Sequence, residues 1–484
     1  MAHSGFDLFA AARQEMDDEG FQPDFSPKAM RQLEAIKSQP QPSQDPGVRD
    51  LRSLLWSSID NDTSRDLDQA EVAERVSTGI RVLVAIADVD PDVPAGSPID
   101  QHAARETTSV YTGVRTFPML PEQLSTDLTS LNQDADRLAL VVDMLIAPGG
   151  SVISGEIYRA LVHNRAQLTY NGVGAWLDGH AAAPLKVAAS ADLAAQLKLQ
   201  DEAAQVLFDE RQRLGALNID RVETEAILAD GSVRSIDTRT KNRATELIEN
   251  FMVAANGVMA RTLMKAGVSS IRRVVRTPKR WERIVELAAR NGERLPPEPD
   301  SGALNVFLQR RKAADAVHYA DLSLAVIKLM GPGEYVLSRP GDKDQGHFAL
   351  AAQDYTHSTA PNRRFADTVA QRLIKSVLSR QPAPYSDQQL NAIAQNCTLK
   401  EDAARKVERA MSKRIAAVAL AGRIGETFAG VITGVTPKGV FVRVLNPPAE
   451  GMLVRSQQGV DVGDQVHVKL VNTDPRRGYL DFAR

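Results

Sequence analysis

Between Ser58 and Gln69 the chain reads SIDNDTSRDLDQ, and four carboxylates, Asp60, Asp62, Asp66 and Asp68, fall within nine positions. Like charges a few ångströms apart repel, so this density is costly unless a positive charge sits among them. Arg65 offsets only one of the four. A bound divalent cation offsets more, and all-oxygen ligands suit Mg²⁺, Mn²⁺ or Ca²⁺ over zinc. Three readings stand at this point. Asp60, Asp62, Ser64, Asp66, Asp68 and Glu71 fall at positions one, three, five, seven, nine and twelve of an EF-hand calcium loop. Against that reading, Arg65 occupies the place of the sharp-turn glycine and the chain holds no second such loop. The second reading is a solvated acidic loop, and the third, which the rest of the chain favours, is a catalytic Mg²⁺ site.

The elements that must position these groups are legible around them. Asp66 and Asp68 are two apart and share one face of an extended chain, and Asp60 can reach them across a bend. Ile80–Val89 is a β-branched run expected as a buried strand, and Leu138–Ile146 is another. Residues 190–214, 244–265, 365–379 and 386–422 have helical spacing. Ser26-Pro27 before KAMRQLEAIK reads as an N-cap, a first-turn proline and one amphipathic helix, followed by a Pro- and Gln-rich linker over 38–47. A basic cluster, Arg272, Arg273, Arg276, Lys279 and Arg280, reads either as a solvated face or as a phosphate contact. At Gly425 the pattern switches to short strands with turn glycines, as expected of a small barrel.

The chain has 484 residues, 43% hydrophobic and 25% charged, with a formal net charge of −3 and a pI near 6.3. These are ordinary values for a soluble globular protein, and they exclude a global basic field, so nucleic-acid binding would have to come from local patches. The single cysteine, Cys397, cannot form an internal disulfide and reads as a small buried residue. No signal peptide or membrane-length apolar run is evident, and the expectation is a cytoplasmic protein with no membrane contact.

Four blocks, in order, resemble the RNase II (RNB) family of 3′→5′ exoribonucleases. They are the acidic motif at Ser58–Gln69, Pro118-Met-Leu-Pro-Glu-Gln-Leu-Ser with Ser130-Leu-Asn and Asp136-Arg137, Leu247–Asn256, and Tyr355-Thr-His-Ser-Thr-Ala-Pro-Asn-Arg-Arg-Phe-Ala-Asp367. The tail from Gly425 resembles the S1-type OB fold that ends these enzymes. The resemblance implies an α+β chain, with a short helical segment and linker over 1–50, a mixed α/β catalytic domain over 51–422 and an all-β barrel over 423–484. It implies a processive, Mg²⁺-dependent hydrolase that releases nucleoside 5′-monophosphates from single-stranded RNA, acting as a monomer with one or two Mg²⁺ ions, for which Mn²⁺ can substitute.

Residue by residue, the resemblance assigns Asp60, Asp66 and Asp68 to catalysis and metal ligation, and Arg363 to the scissile phosphate. Tyr170 is matched to an aromatic that stacks on a base near the 3′ end, and Arg364 to loop organisation or RNA backbone. Arg273 and Lys438 are further candidate RNA contacts. Position 69 departs from the family pattern, with Gln69 where aspartate is usual, and Asp62 is a candidate substitute carboxylate. In the barrel, Lys438 stands where the family has an exposed aromatic. His347 and His357 are expected to be structural. The alternatives are a catalytically silent RNB-fold RNA-binding protein and the calcium-binding protein.

Overall fold

In the computed structural model the described residues are 6–38, 47–219, 223–229, 232–342, 346–437 and 439–484. The chain is mixed α/β up to a long helix, Asp387–Leu420, after which it is all β. The central sheet runs in the order Arg49–Asp50, Val152–Thr169, Trp56–Asp60, Gln69–Val76, Gly79–Ala87 and Asp136–Ile146. The last strand also pairs back with Val152–Thr169, so the sheet closes on itself.

The register of this sheet builds one end of the site. Trp56–Asp60 runs parallel to Val152–Thr169, which sets Asp60 level with Thr169, and the helix Tyr170–Leu177 starts there. Trp56–Asp60 meets the antiparallel strand Gln69–Val76 at Ser57 and Glu71. The acidic stretch is therefore a strand–loop–strand connection. An EF-hand needs a helix on each side of its loop, and this geometry removes the calcium-loop reading.

Apolar side chains lie on both faces of the sheet, as expected when both are covered. On one, Ile59, Ala73, Val82, Val84 and Ile86 pack with the helices Ala191–Arg213 and Arg243–Lys265. On the other, Trp56, Leu67, Ala70, Val72 and Val141 form a second cluster. Helix Phe365–Leu378 joins the first of these cores through Phe365, Val369, Leu373 and Ile374. Among the described residues, no helix is long and apolar enough to cross a membrane.

The N-terminal segment holds the expected helix, Pro27–Lys37, capped by Ser26 Oγ accepting from the Ala29 amide at 3.2 Å. It also holds a helix the sequence did not lead us to expect, Leu8–Asp18, capped by Asp7. Leu8, Ala12 and Met16 share a core with Val407 and Met411 of the long helix and with Phe428 and Leu470 of the barrel. Glu15 pairs with Arg414, and Glu19 with Lys406 at 3.2 Å. The basic residues of the long helix thus hold the N-terminal helix in place.

The barrel closes in the order Thr427–Thr436, Gly439–Leu445, Pro448–Arg455, Tyr479–Ala483, Gln465–Asp474. Gly478 seats it against the long helix. Its φ is +66°, and a Cβ there would lie 2.9 Å from the Lys413 Cβ, so both the turn and the contact require glycine.

Candidate active site

Two bonds from distant sequence fix the acidic loop. The Leu67 amide donates to Ser130 Oγ at 2.9 Å, and the Leu131 amide donates to the Leu67 carbonyl at 2.9 Å. Leu67 is buried, which turns its neighbours Asp66 and Asp68 away from the apolar cluster. Asp60 ends its strand with Oδ1 accepting from the Asn61 amide at 2.7 Å and from Ser64 Oγ at 2.8 Å.

Asp68 is 2% exposed and meets the segment around Arg363 with both oxygens. Oδ1 accepts from the Asn362 amide at 3.0 Å, and Oδ2 accepts from Arg363 Nε at 3.1 Å. Burial, with Asp66 nearby, lifts the Asp68 carboxyl to about 7 despite Arg363. Burial likewise raises the Asp60 carboxyl, against the pull of its two hydrogen bonds and of Arg363. Arg363 itself is held above its usual range, because Asp68, Tyr111, Asp60 and Asp66 together outweigh its own desolvation. This arginine, not Arg65, is the cation among the aspartates. Arg65 reaches outward to Glu122 at 2.9 Å, and both partners are largely exposed, where such a pair contributes little.

The loop that carries Arg363 is over-determined. Asn362 Oδ1 accepts from Thr129 Oγ1 at 2.6 Å, the Ser109 amide donates to the Arg363 carbonyl at 3.0 Å, and Asp367 Oδ1 accepts from the Ala360 amide at 2.8 Å. Arg364 forks onto Asp367, from Nε at 2.8 Å and from Nη2 at 2.7 Å. Asn256, from the helix Arg243–Lys265, ties in Ser358 at 2.9 Å through its amide and at 2.7 Å through its hydroxyl. Rigid second contacts of this kind hold the arginine in one geometry.

A cavity of about 1530 Å³ opens over these groups. Asp60, Asp66, Gln69, Arg363, Arg364 and Tyr170 line it, and so do Phe25 and Met30 of the N-terminal segment. Tyr170 is half-buried at the first turn of its helix, one residue beyond the strand position level with Asp60. Tyr111, which sequence reasoning did not single out, also lines the cavity and donates from its hydroxyl to Asp66 Oδ2 at 2.9 Å. Desolvation by the groups around its hydroxyl, with Asp66 and Asp68 nearby, keeps the phenol protonated and able to donate despite Arg363, although the residue as a whole is 41% exposed. Nothing in its residue type or spacing marks it beforehand except that it lies shortly before the proline-rich loop.

Three expected site residues are corrected or fall outside the structure described. Asp62 is exposed and accepts from Asn171 Nδ2 at 2.5 Å; it does not line the cavity, because the chain leaves the strand at Asp60 and the two-residue alternation stops there. Arg273 is 6% exposed and makes two bonds to Glu401, at 2.6 and 2.9 Å, so it joins the strand Ser270–Val274 to the long helix and offers nothing to RNA. Arg272 is buried in the same strand. Lys438 lies outside the described residues. His347 caps a short turn, accepting from the Leu350 amide at 3.2 Å, and His357 Nδ1 stands 2.8 Å from the Tyr335 hydroxyl. Burial pushes both histidines down, His347 to about 4 and His357 well below its usual value, and neither lines the cavity.

Of the acidic loop, Asp60, Asp66 and Gln69 bring side-chain oxygens to this corner of the cavity wall, Gln69 Nε2 donating to the Ile59 carbonyl at 3.2 Å and leaving Oε1 free to ligate. Asp68, matched to a metal ligand by the resemblance, instead turns both oxygens to Asn362 and Arg363 and does not line the cavity. Among the described residues no group of three His, Cys, Asp or Glu stands close enough to share an ion. Two carboxylates and an amide nevertheless fit a hard divalent cation such as Mg²⁺, which keeps several waters and completes its shell with substrate phosphate. No imidazole or thiolate lines the wall to favour a softer metal.

Comparison with known proteins places the chain in a family. The RNB domain profile matches residues 48–380, and that of the RNase II-type exonuclease C-terminal S1 domain matches residues 426–484. Ribonuclease R 1 of Lactococcus lactis is 30% identical over 95% of this chain, and the chain spans 59% of that protein's length. Ribonuclease R of Thermotoga maritima is 28% identical over 95% of this chain and 68% of its own. In fold, the chain matches Mycoplasma genitalium RNase R in complex with ribose-methylated single-stranded RNA at a TM-score of 0.87, with 24% identity, over 99% of this chain and 78% of that one. It also matches yeast Ssd1, a pseudonuclease, at a TM-score of 0.71 with 17% identity, over 91% and 55% of the two chains. An acidic loop braced against a signature arginine on a cavity, in a chain that ends in an S1-type barrel, is thus matched by two family profiles in the right order, and the chain belongs to the RNB family.

Proposed function

We propose that this chain is a divalent-metal-dependent 3′→5′ exoribonuclease that hydrolyses single-stranded RNA processively to nucleoside 5′-monophosphates. The observation that carries the reading is the meeting of Asp68 and Arg363 across 295 positions, which fixes Arg363 on the wall of a large cavity that Asp60 and Asp66 also line. In the reaction, water adds to phosphorus and the bond from phosphorus to the 3′-oxygen of the preceding nucleotide breaks. The terminal residue leaves as the 5′-monophosphate and the shortened chain keeps a 3′-hydroxyl.

Asp60, Asp66 and Gln69 are the residues that would hold the cation. When bound, it would lower the pKa of the attacking water and offset charge on the phosphoryl oxygens. The chain's own groups then divide the remaining work. Arg363 presents a fixed guanidinium to the phosphoryl oxygens, with Asp68 aligning it through Nε. Tyr111 orients Asp66 through its hydroxyl. Tyr170, on the cavity wall beside Asp60, offers a ring for the terminal base. A cavity of this size has room for a strand end, and holding it by phosphate and by stacking suits degradation of any sequence.

A 5′-labelled single-stranded RNA with Mg²⁺, with Ca²⁺ or with chelator tests the reading. Progressive shortening of the labelled strand to a short limit product, with Mg²⁺ only, is the expected result. Immediate release of a labelled mononucleotide would reverse the polarity. Gln69, a neutral group on the wall where a carboxylate would hold a cation better, favours a second reading, an RNA-binding protein without turnover. Tight RNA binding with no shortening under any metal would establish that alternative.

A further inference from the structure

Among the described residues four arginines line the cavity, Arg65, Arg115, Arg363 and Arg364. A polyanion that enters it is held best by a cation not already paired with an acid. Three of the four are engaged: Arg65 with Glu122, Arg363 with Asp68 and Arg364 with Asp367. Arg115 is exposed, and among the described residues no hydrogen bond or ion pair engages its guanidinium. It lies instead over the buried side chain of Phe117, 5.0 Å from the ring centroid. Stacking of this kind holds the planar group by its face and leaves its N–H edge open to an anion. Asp24, an acid of the same wall, does not take that edge. Its carboxylate is forked by Arg13 at 2.9 and 2.7 Å, and it is Arg13 first, with Arg115 adding from further off, that lowers its pKa.

The backbone aims Arg115 along the cavity. Val110–Tyr111 pairs with Thr116–Phe117 in a short hairpin, and residues 112–115 are its turn. The root of the hairpin is fastened to the arginine loop, where Thr108 bridges Arg364 and the Ser109 amide donates to the Arg363 carbonyl. Tyr111 reaches Asp66 from the strand itself. The turn is closed by Thr112 Oγ1, which donates to the Arg115 carbonyl at 2.6 Å and accepts from the Arg115 amide at 3.2 Å. Behind it, Val110, Val114 and Phe117 share a core with Met411 and Ile415 of the long helix and with Phe428 of the barrel. The hairpin therefore runs from the reacting corner toward the barrel side of the molecule, with Arg115 at its far end.

We propose that Arg115 is a binding residue for the incoming strand, its guanidinium taking a phosphodiester upstream of the scissile phosphate that Arg363 holds. The proposal rests on the exoribonuclease reading above and adds a second phosphate contact to it. Arg115 takes no part in bond breaking in this arrangement; it keeps the strand in the cavity while the end is cut.

The test is fluorescence anisotropy of a 5′-labelled single-stranded RNA titrated with the full chain in chelator, over a series of salt concentrations. Arg115→Ala should lower the slope of log affinity against log salt by about 0.7, which corresponds to a dissociation constant about fivefold weaker at roughly 0.1 M salt. Arg115→Lys keeps the charge and should keep the wild-type slope. With RNAs lengthened one nucleotide at a time, the gap between wild type and Arg115→Ala should open at one length and then stay constant. A gap present at every length would place the effect at the 3′ end and contradict an upstream contact. An unchanged slope in Arg115→Ala would overturn the proposal, and so would an Arg115→Lys slope as low as that of Arg115→Ala, since packing on Phe117 rather than charge would then be at work. Because the titrations run without turnover, a wild type that binds RNA but never shortens it counts against the exoribonuclease reading while the slopes still decide for or against Arg115. A wild type that binds no single-stranded RNA overturns both.

Discussion

In the cavity, Asp68 is 2% exposed and meets an arginine 295 positions further along the chain. In the barrel, Arg455, His467 and Lys469 stand on short strands with exposed side chains. The cavity concentrates charge by bringing together segments that are remote in sequence, and Asp60, Asp66 and Asp68 are each held by specific hydrogen bonds. The barrel spreads charge over a surface whose interior is purely apolar, Val440, Val442, Val444, Leu453 and Phe482 among it. A single substitution should therefore disable the cavity, whereas the barrel should lose function in small increments. The two regions remain mechanically joined, because barrel and long helix share a core with the N-terminal helix. Deleting the barrel would expose Met411 and Ile415, so point changes are the cleaner probes.

The largest effect is expected from Arg363→Ala. It removes the fixed fork at the phosphate while leaving the cavity open, and turnover should fall by roughly 10²–10³-fold, the usual cost of losing one preorganised charge-stabilising group. Single-turnover cleavage of bound RNA measures it; a drop below tenfold would put Arg363 outside the reacting centre. Tyr170→Ala comes next. Loss of one stacked base costs about 1–3 kcal/mol, which matters most once few nucleotides hold the substrate, so limit products should lengthen while the initial rate on long RNA changes little. Identical limit products would confine Tyr170 to the core cluster it packs against.

Stability against pH probes the packing behind the cavity, where Phe25 of the wall lies on His102 with ring centroids 4.1 Å apart. His102 is 3% exposed, and burial, with Arg105 adding to it, pushes it down to about 4. A histidine held below its unfolded value contributes stability that is complete above pH 6.5 and is lost as pH falls toward 4. The stability advantage of wild type over His102→Gln should shrink by about 2 kcal/mol between pH 7 and pH 5, as read by denaturant titration at each pH; a constant difference would mean His102 is charged in the fold. The smallest effect is expected from Arg455→Ala in the barrel. One lost phosphate contact on a single strand should lower the slope of log affinity against log salt by about 0.7 and leave cleavage of bound RNA untouched. An unchanged slope would remove Arg455 from the RNA path.

Much of this architecture could be read from the chain, and the failures share a cause. The helices at 243–265, 365–378 and 387–420 announced themselves by periodicity, and the structure adds a capping box at Ser386 and Gln389 to the last of them. The acidic loop was visible because its residue types are costly without a cation. Asp62 was misread because strand alternation was extended into a loop. Arg273 was misread because five basic residues close in sequence look like a surface, while burial is decided by Glu401, 128 positions away. The helix Leu8–Asp18 escaped because its acids mask the apolar stripe that docks on the long helix.

The most direct measurement compares Asp68→Asn with wild type in both RNA affinity and single-turnover cleavage with Mg²⁺. The amide that replaces the carboxylate can still accept a hydrogen bond from Arg363, but the negative charge is gone. Cleavage should drop by at least about hundredfold while the dissociation constant for single-stranded RNA stays equal or tightens, since the carboxylate that offsets the Arg363 charge has been removed. A variant that cleaves bound RNA at the wild-type rate would contradict the assignment of this cavity as the hydrolytic site.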